Sequence, residues 1–228
     1  MTKILFLGNS HTYMNDMPFL FKEVFERSCR EVCDVTMLAF SGRDLEWHRK
    51  EYFSLRFALL YGNYDYCVIQ QAAHPFPEKS TTMENGRKII DLCRRTGTIP
   101  VLYMTWAEKA YPENQKKMIN VYTALAEETG AMLAKAGIVW EAVRKEAPQI
   151  DLFFKDGEHA SPYGDLLIAS VLCRTLRRNV QLKAPARLID FHVHFENEFP
   201  EASFGDDRFF TPDPEAVDTI LRMVTELI

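Results

Sequence analysis

The stretch Ile4-Leu5-Phe6-Leu7-Gly8-Asn9-Ser10-His11-Thr12 decides how the chain folds. Its apolar half is continuous rather than alternating, the pattern of a parallel strand buried on both faces. Gly8 ends the run, and a serine follows between polar neighbours. In open α/β sheets, ligands bind beyond the carboxyl ends of the strands, so a hydroxyl just past the first strand stands where chemistry is done. Ser10 is therefore either the cap of the next helix or a nucleophile, and residues far downstream have to choose between the two.

Outward from this stretch, Asn15-Asp16-Met17-Pro18 supplies a cap and an early proline, and Phe19, Leu20, Val24 and Phe25 follow at helical spacing. Residues 32–40 form a second predicted strand, ending in the turn Ser41-Gly42-Arg43-Asp44. The next helix, 45–61, turns Trp47, Phe53, Phe57 and Leu60 inward. A third strand over 64–69 runs into Gln70-Gln71-Ala72-Ala73-His74-Pro75. A helix over 82–95, a strand over 99–104, a long helix over 113–135 and a short fifth strand over 138–140 complete the pattern. Strand and helix thus alternate with short connections, the signature of right-handed βαβ units on a parallel sheet between helical layers.

The 228 residues and 47% hydrophobic content suit one α/β domain spanning 1–228. Within it, 183–214 is an irregular cap or edge extension rich in proline, histidine and phenylalanine, and 214–228 is a final helix. A net charge of −5 with scattered cations argues against a nucleic-acid footprint. No stretch approaches the roughly 20 apolar residues of a membrane span, and the start of the chain lacks the regions of a signal peptide, so a soluble cytoplasmic protein is expected. The five cysteines read as reduced core thiols, and Cys29 and Cys33 lack the second pair that a zinc site needs.

A serine hydroxyl is a poor nucleophile until a base takes its proton, so a histidine with a carboxylate partner is required. His159 stands three residues after Asp156 in the loop Asp156-Gly157-Glu158-His159, ahead of a helix over 162–177. That spacing lets the carboxylate turn back onto the imidazole and free its other nitrogen for Ser10. The oxyanion of an acyl-transfer site also needs donors. The backbone N–H groups of Ser10 and Gly42 qualify, as do the side chains of Gln70, Gln71 or His74 at the end of the third strand.

Together these residues resemble the GDSL/SGNH hydrolase superfamily. Gly8-Asn9-Ser10-His11-Thr12 is similar to its block I, Gly42 to the block II glycine, Gln70 to His74 to block III, and Asp156-Gly157-Glu158-His159 to block V. Asn9 replaces the usual aspartate, as in a G-N-S branch, and the block III asparagine is absent. The resemblance implies a three-layer α/β/α, flavodoxin-like fold with a five-stranded parallel sheet. It also implies an esterase in which Ser10 is the nucleophile, His159 the base and Asp156 the orienting carboxylate. His74 falls nearest the missing asparagine, whereas Gln70 resembles the glutamine of sialate and acetylxylan esterase relatives and is favoured over Gln71 as the side chain facing the site.

The expected substrate is a small acyl ester, with acetylated carbohydrate leading, and no cofactor or metal is expected. A non-catalytic binder of a sugar or acyl ligand is the alternative, and a metal-dependent hydrolase using His74, His159, His192 and His194 a more distant one. His11 is expected at the pocket wall rather than as the base. Asp44, with Arg43, stands where a polar substrate would be contacted, and Trp106 where the cleft would be lined.

Overall fold

The computed structural model describes residues 1–190 and 209–228. Strand β1 (Thr2–Gly8) is an inner strand of a parallel sheet ordered β2-β1-β3-β4-β5, with β2 Cys33–Ala39, β3 Tyr66–Gln70, β4 Ile99–Tyr103 and β5 Met132–Ala134. The register sets Gly8 beside Ala39 and Leu7 beside Ile69, so three strands end together around the serine. Ile4 to Leu7 are fully buried because each face of β1 carries its own helical layer. Ile4 and Phe6 join a core formed with α2 (Met17–Cys29), α7 (Ala136–Glu146), α8 (Pro162–Leu176) and α9 (Pro214–Leu227). Leu5 and Leu7 join a second core with α3 (Leu45–Lys50), α4 (Tyr52–Gly62), α5 (Lys79–Arg95) and α6 (Asn114–Thr129). The architecture is the expected three-layer α/β/α fold with five parallel strands.

Three elements differ from the sequence expectation, one of them the helix over 113–135, which ends at Thr129. The helix expected over 45–61 breaks at Glu51, and the break shifts its phase. Leu45, His48, Leu55 and Leu59 point inward, while Phe53 is 71% exposed and Phe57 and Leu60 also face out. The fifth strand is the three-residue β5, not 138–140. Ala136, Val139, Trp140 and Val143 are buried at helical spacing in α7, so the apolar run there has a period of 3.6 rather than 2. Trp140 uses that face to stack on Trp106, with ring centroids 4.0 Å apart and planes 6° from parallel.

In the segment expected to be irregular, β6 (Leu188–Ile189) pairs antiparallel with β7 (Phe209–Phe210). Phe191, His192, His194, Phe195 and Phe199 lie outside the described residues. The final helix follows Asp213, whose carboxylate accepts from Glu215 N–H at its start.

Candidate active site

The chain leaves β1 at Gly8, where a Cβ would collide with the Thr12 hydroxyl and the Gln70 amide, so only glycine lets strand and turn approach so closely. Asn9 then caps α1 (Ser10–Tyr13), its Oδ1 accepting from His11 N–H at 3.0 Å. Its Nδ2 donates to the Arg43 carbonyl at 3.0 Å, tying the turn that follows β2 to the serine. The Asn9 backbone N–H donates to Gln70 Oε1 at 2.8 Å. The side chain thus needs one acceptor and one donor, which an ionised aspartate cannot supply.

Ser10 opens α1 with its hydroxyl 2.8 Å from Nε2 of His159, and Nδ1 of His159 lies 2.7 Å from Asp156 Oδ2. The other Asp156 oxygen accepts the backbone N–H groups of Glu158 at 2.9 Å and His159 at 3.0 Å. Burial pushes the Asp156 carboxyl up, but the Glu158 N–H together with the side chain and N–H of His159 outweigh it and hold the group below the usual carboxylate range. Asp156 is therefore ionised, and its acceptor fixes the proton of neutral His159 on Nδ1, leaving the Nε2 lone pair for Ser10. The turn closes at Gly157, whose φ of +76° is cheap only for glycine.

Trp106 was expected to line a cleft, but it is fully buried. Its Nε1–H donates to the Glu158 carbonyl at 2.9 Å, so it supports the loop carrying Asp156 and His159 from below. Asp44 is committed to capping α3, accepting from Trp47 N–H at 2.8 Å. Gly42 sits exposed in the turn after β2 with φ +66°.

The block III side chains are committed elsewhere. Gln70 and Gln71 are both fully buried. Gln70 Oε1 accepts from Asn9 N–H and from the Thr12 hydroxyl at 3.0 Å, and its Nε2 donates to the Gln71 carbonyl. Gln71 Oε1 accepts from Leu45 N–H at 3.0 Å and Ala72 N–H at 2.8 Å, while its Nε2 donates to Thr82 at 3.0 Å. Both amides are thus held by partners inside the fold. His74 Nε2 lies 3.1 Å from the Trp106 carbonyl and 3.3 Å from a Glu108 carboxylate oxygen. Both are acceptors, so the proton sits on Nε2 and Nδ1 carries a lone pair in the neutral ring. Burial holds the His74 pKa below its ordinary value despite Glu108, which keeps the ring in that neutral form.

His11 stacks on His159 at 4.6 Å and meets His74 edge-on at 4.9 Å. Neither of its ring nitrogens has a hydrogen-bond partner of good geometry. Burial, then the neighbouring imidazoles of His159 and His74, drive its pKa well below normal, with the Glu158 backbone opposing weakly. A neutral ring is thus packed behind the base. Among the described residues no group of three or more His, Cys, Asp or Glu could hold a metal ion, and no helix is long and apolar enough to cross a membrane.

No protein-family model and no curated protein matches the chain. Solved structures do. A candidate SGNH hydrolase from Slackia heliotrinireducens is 26% identical, with 77% of this chain and 98% of that one covered and a TM-score of 0.66. An acetylxylan esterase from Geobacillus stearothermophilus, a catalytic mutant, is 13% identical over 77% of this chain and 94% of that one, with a TM-score of 0.63. A DUF4886 family protein from Bacteroides uniformis is 18% identical over 99% of this chain and 93% of that one, with a TM-score of 0.66. The fold is that of the SGNH hydrolases, and it places the chain with the GDSL/SGNH hydrolase superfamily. Its neighbours there are hydrolases and esterases, a likeness that holds at the level of the fold.

Proposed function

We propose that the chain is a serine esterase that removes small acyl groups through an acyl-serine intermediate, with acetylated carbohydrate as the substrate class. The observation carrying this is the continuous line from Asp156 through His159 to Ser10, with contacts of 2.7 and 2.8 Å. Ser10 Oγ attacks the ester carbonyl as its proton passes to His159 Nε2. The imidazolium, stabilised by Asp156, returns that proton to the leaving alkoxide, and water then repeats the attack on the acyl-serine with His159 as base. The oxyanion is held by the backbone N–H groups of Ser10 and Gly42. Gln70, Gln71 and neutral His74 are left out of it, since both amides are fully buried and bonded within the fold and the imidazole proton is directed at Trp106 and Glu108.

That same absence of a side-chain donor favours the alternative, a protein that holds an acyl or sugar ligand without efficient turnover. Hydrolysis of 4-nitrophenyl acetate separates the two. The wild type is expected to turn over and Ser10→Ala to be inactive while keeping its stability within about 1 kcal/mol. Hydrolysis retained in Ser10→Ala would overturn the assignment.

A further inference from the structure

A second connection joins the segment carrying the serine to the loop carrying the histidine. Asn15 lies five residues beyond Ser10, in the short 3₁₀ turn before α2, and has the left-handed backbone conformation φ 49°, ψ 30°. It is 2% exposed. Its Nδ2 carries two hydrogens and has two acceptors across the site, the Ala160 carbonyl at 3.2 Å and Asp165 Oδ2 at 2.7 Å. Ala160 directly follows His159. Asp165 is in the first turn of α8, is 1% exposed, and has no partner for its other oxygen.

The histidine loop is shaped by its own backbone bonds. Phe154 N–H donates to the His159 carbonyl at 2.8 Å and Ser161 N–H to the Leu152 carbonyl at 2.8 Å. The Ala160 carbonyl is directed at Asn15 instead. The serine segment is fixed from the sheet side, where the Tyr103 hydroxyl donates to the His11 carbonyl at 3.1 Å. A carboxyl buried this deeply is costly in its ionised form, and an amide N–H directed at one of its oxygens offsets part of that cost. Burial raises the Asp165 pKa well above the usual range, and the bond from Asn15 opposes the rise.

We propose that Asn15 and Asp165 form a buried clamp that sets the separation between Ser10 and His159, with Asn15 the positioning residue and Asp165 the anchor that aims its amide. The clamp rests on the esterase reading, because a fixed Ser10–His159 distance matters only if a proton passes between them. Asn15 touches no substrate, so its loss lowers kcat and leaves KM in place. Misplacement of reacting groups by about 1 Å costs up to roughly a hundredfold, so kcat in Asn15→Ala is expected to fall between tenfold and a hundredfold. KM is expected to stay within twofold.

The experiment compares wild type, Ser10→Ala, Asn15→Ala, Asp165→Asn and Asp165→Leu for hydrolysis of 4-nitrophenyl acetate and for the rate of labelling by a fluorophosphonate. Asp165→Asn keeps an oxygen acceptor for Asn15 and should hold kcat within about threefold, whereas Asp165→Leu removes it and should lower kcat at least tenfold. This pair carries the test should Asn15→Ala fail to fold. An active wild type and inactive Ser10→Ala, with Asn15→Ala and Asp165→Leu within twofold of wild type, would overturn the clamp and leave the esterase standing. A wild type that neither labels nor turns over would overturn the esterase reading. The clamp is then judged by the ¹⁵N shifts of the His159 imidazole: displaced in Asn15→Ala toward those of Ser10→Ala they support it, unmoved they overturn it.

Discussion

Replacing Asn9 with the aspartate common in block I of the superfamily is expected to harm this protein. Asn9 is 3% exposed and uses both ends of its amide, Oδ1 to the His11 N–H and Nδ2 to the Arg43 carbonyl. Asn9→Asp preserves the first bond, since a carboxylate is a good acceptor at a helix start. It turns the second into a lone pair facing a carbonyl. A lost hydrogen bond costs about 1 kcal/mol, and a group left unpaired in a buried place adds 1–3 kcal/mol, so a net loss of about 2 kcal/mol is expected. The introduced carboxyl can replace the missing donor only when protonated, so its folded pKa lies above its unfolded value. The sign follows: the penalty is small below the unfolded pKa of about 4 and grows as pH rises through the folded pKa. Urea unfolding of wild type and Asn9→Asp at pH 4.5 and pH 7.5 measures this as two midpoint differences. A variant as stable as wild type at pH 7.5, or a penalty larger at pH 4.5, would refute the reasoning.

Acid stability gives another test. The His11 pKa is well below normal in the folded protein, whereas the unfolded chain takes up a proton near pH 6.5. The stability due to its neutral form is complete above that value and is lost as pH falls below it. His11→Phe, which keeps a ring against His159, should lose less stability than wild type between pH 7.5 and 5.5. An unchanged slope in denaturation would contradict it. Gln70→Leu is expected to cost about 2–4 kcal/mol by chemical denaturation, since it leaves the Asn9 N–H and the Thr12 hydroxyl unpaired in the core; a loss below 1 kcal/mol would show that neither bond matters.

The sheet was legible because β1 and β3 are continuous apolar runs ended by turn residues, and because strands and helices alternate. The fifth strand was not. Met132, Leu133 and Ala134 carry no β-branched residue and are too few to show a period, while Ile138-Val139-Trp140 look like a strand in isolation and are one turn of a helix whose buried face extends to Val143. The phase of α3 and α4 was lost to the break at Glu51, a conformation that no local residue signals. Ser10 was found from its place after β1 and Asp156 and His159 from their separation of three, with the roles implied by the family resemblance, and the structure brings the three together. The roles of Gln70 and Gln71 were hidden because an amide has both donor and acceptor ends, and only the fold shows which partners they meet. Asn15 read as a helix cap from its place before Met17-Pro18. Its bonds run instead across 145 and 150 residues of chain to Ala160 and Asp165, and no motif in the sequence links those positions.

The central claim is that His159 and Asp156 activate Ser10 for acyl transfer. The measurement that tests it most directly is intact-mass and peptide mapping after brief exposure to a fluorophosphonate, on wild type, Asp156→Asn and Ser10→Ala at equal concentration. The account predicts one adduct per wild-type chain, on Ser10, at least a hundredfold slower labelling in Asp156→Asn as the imidazole loses its orienting acceptor, and none in Ser10→Ala. Labelling of another residue, or equal rates in wild type and Asp156→Asn, would contradict it.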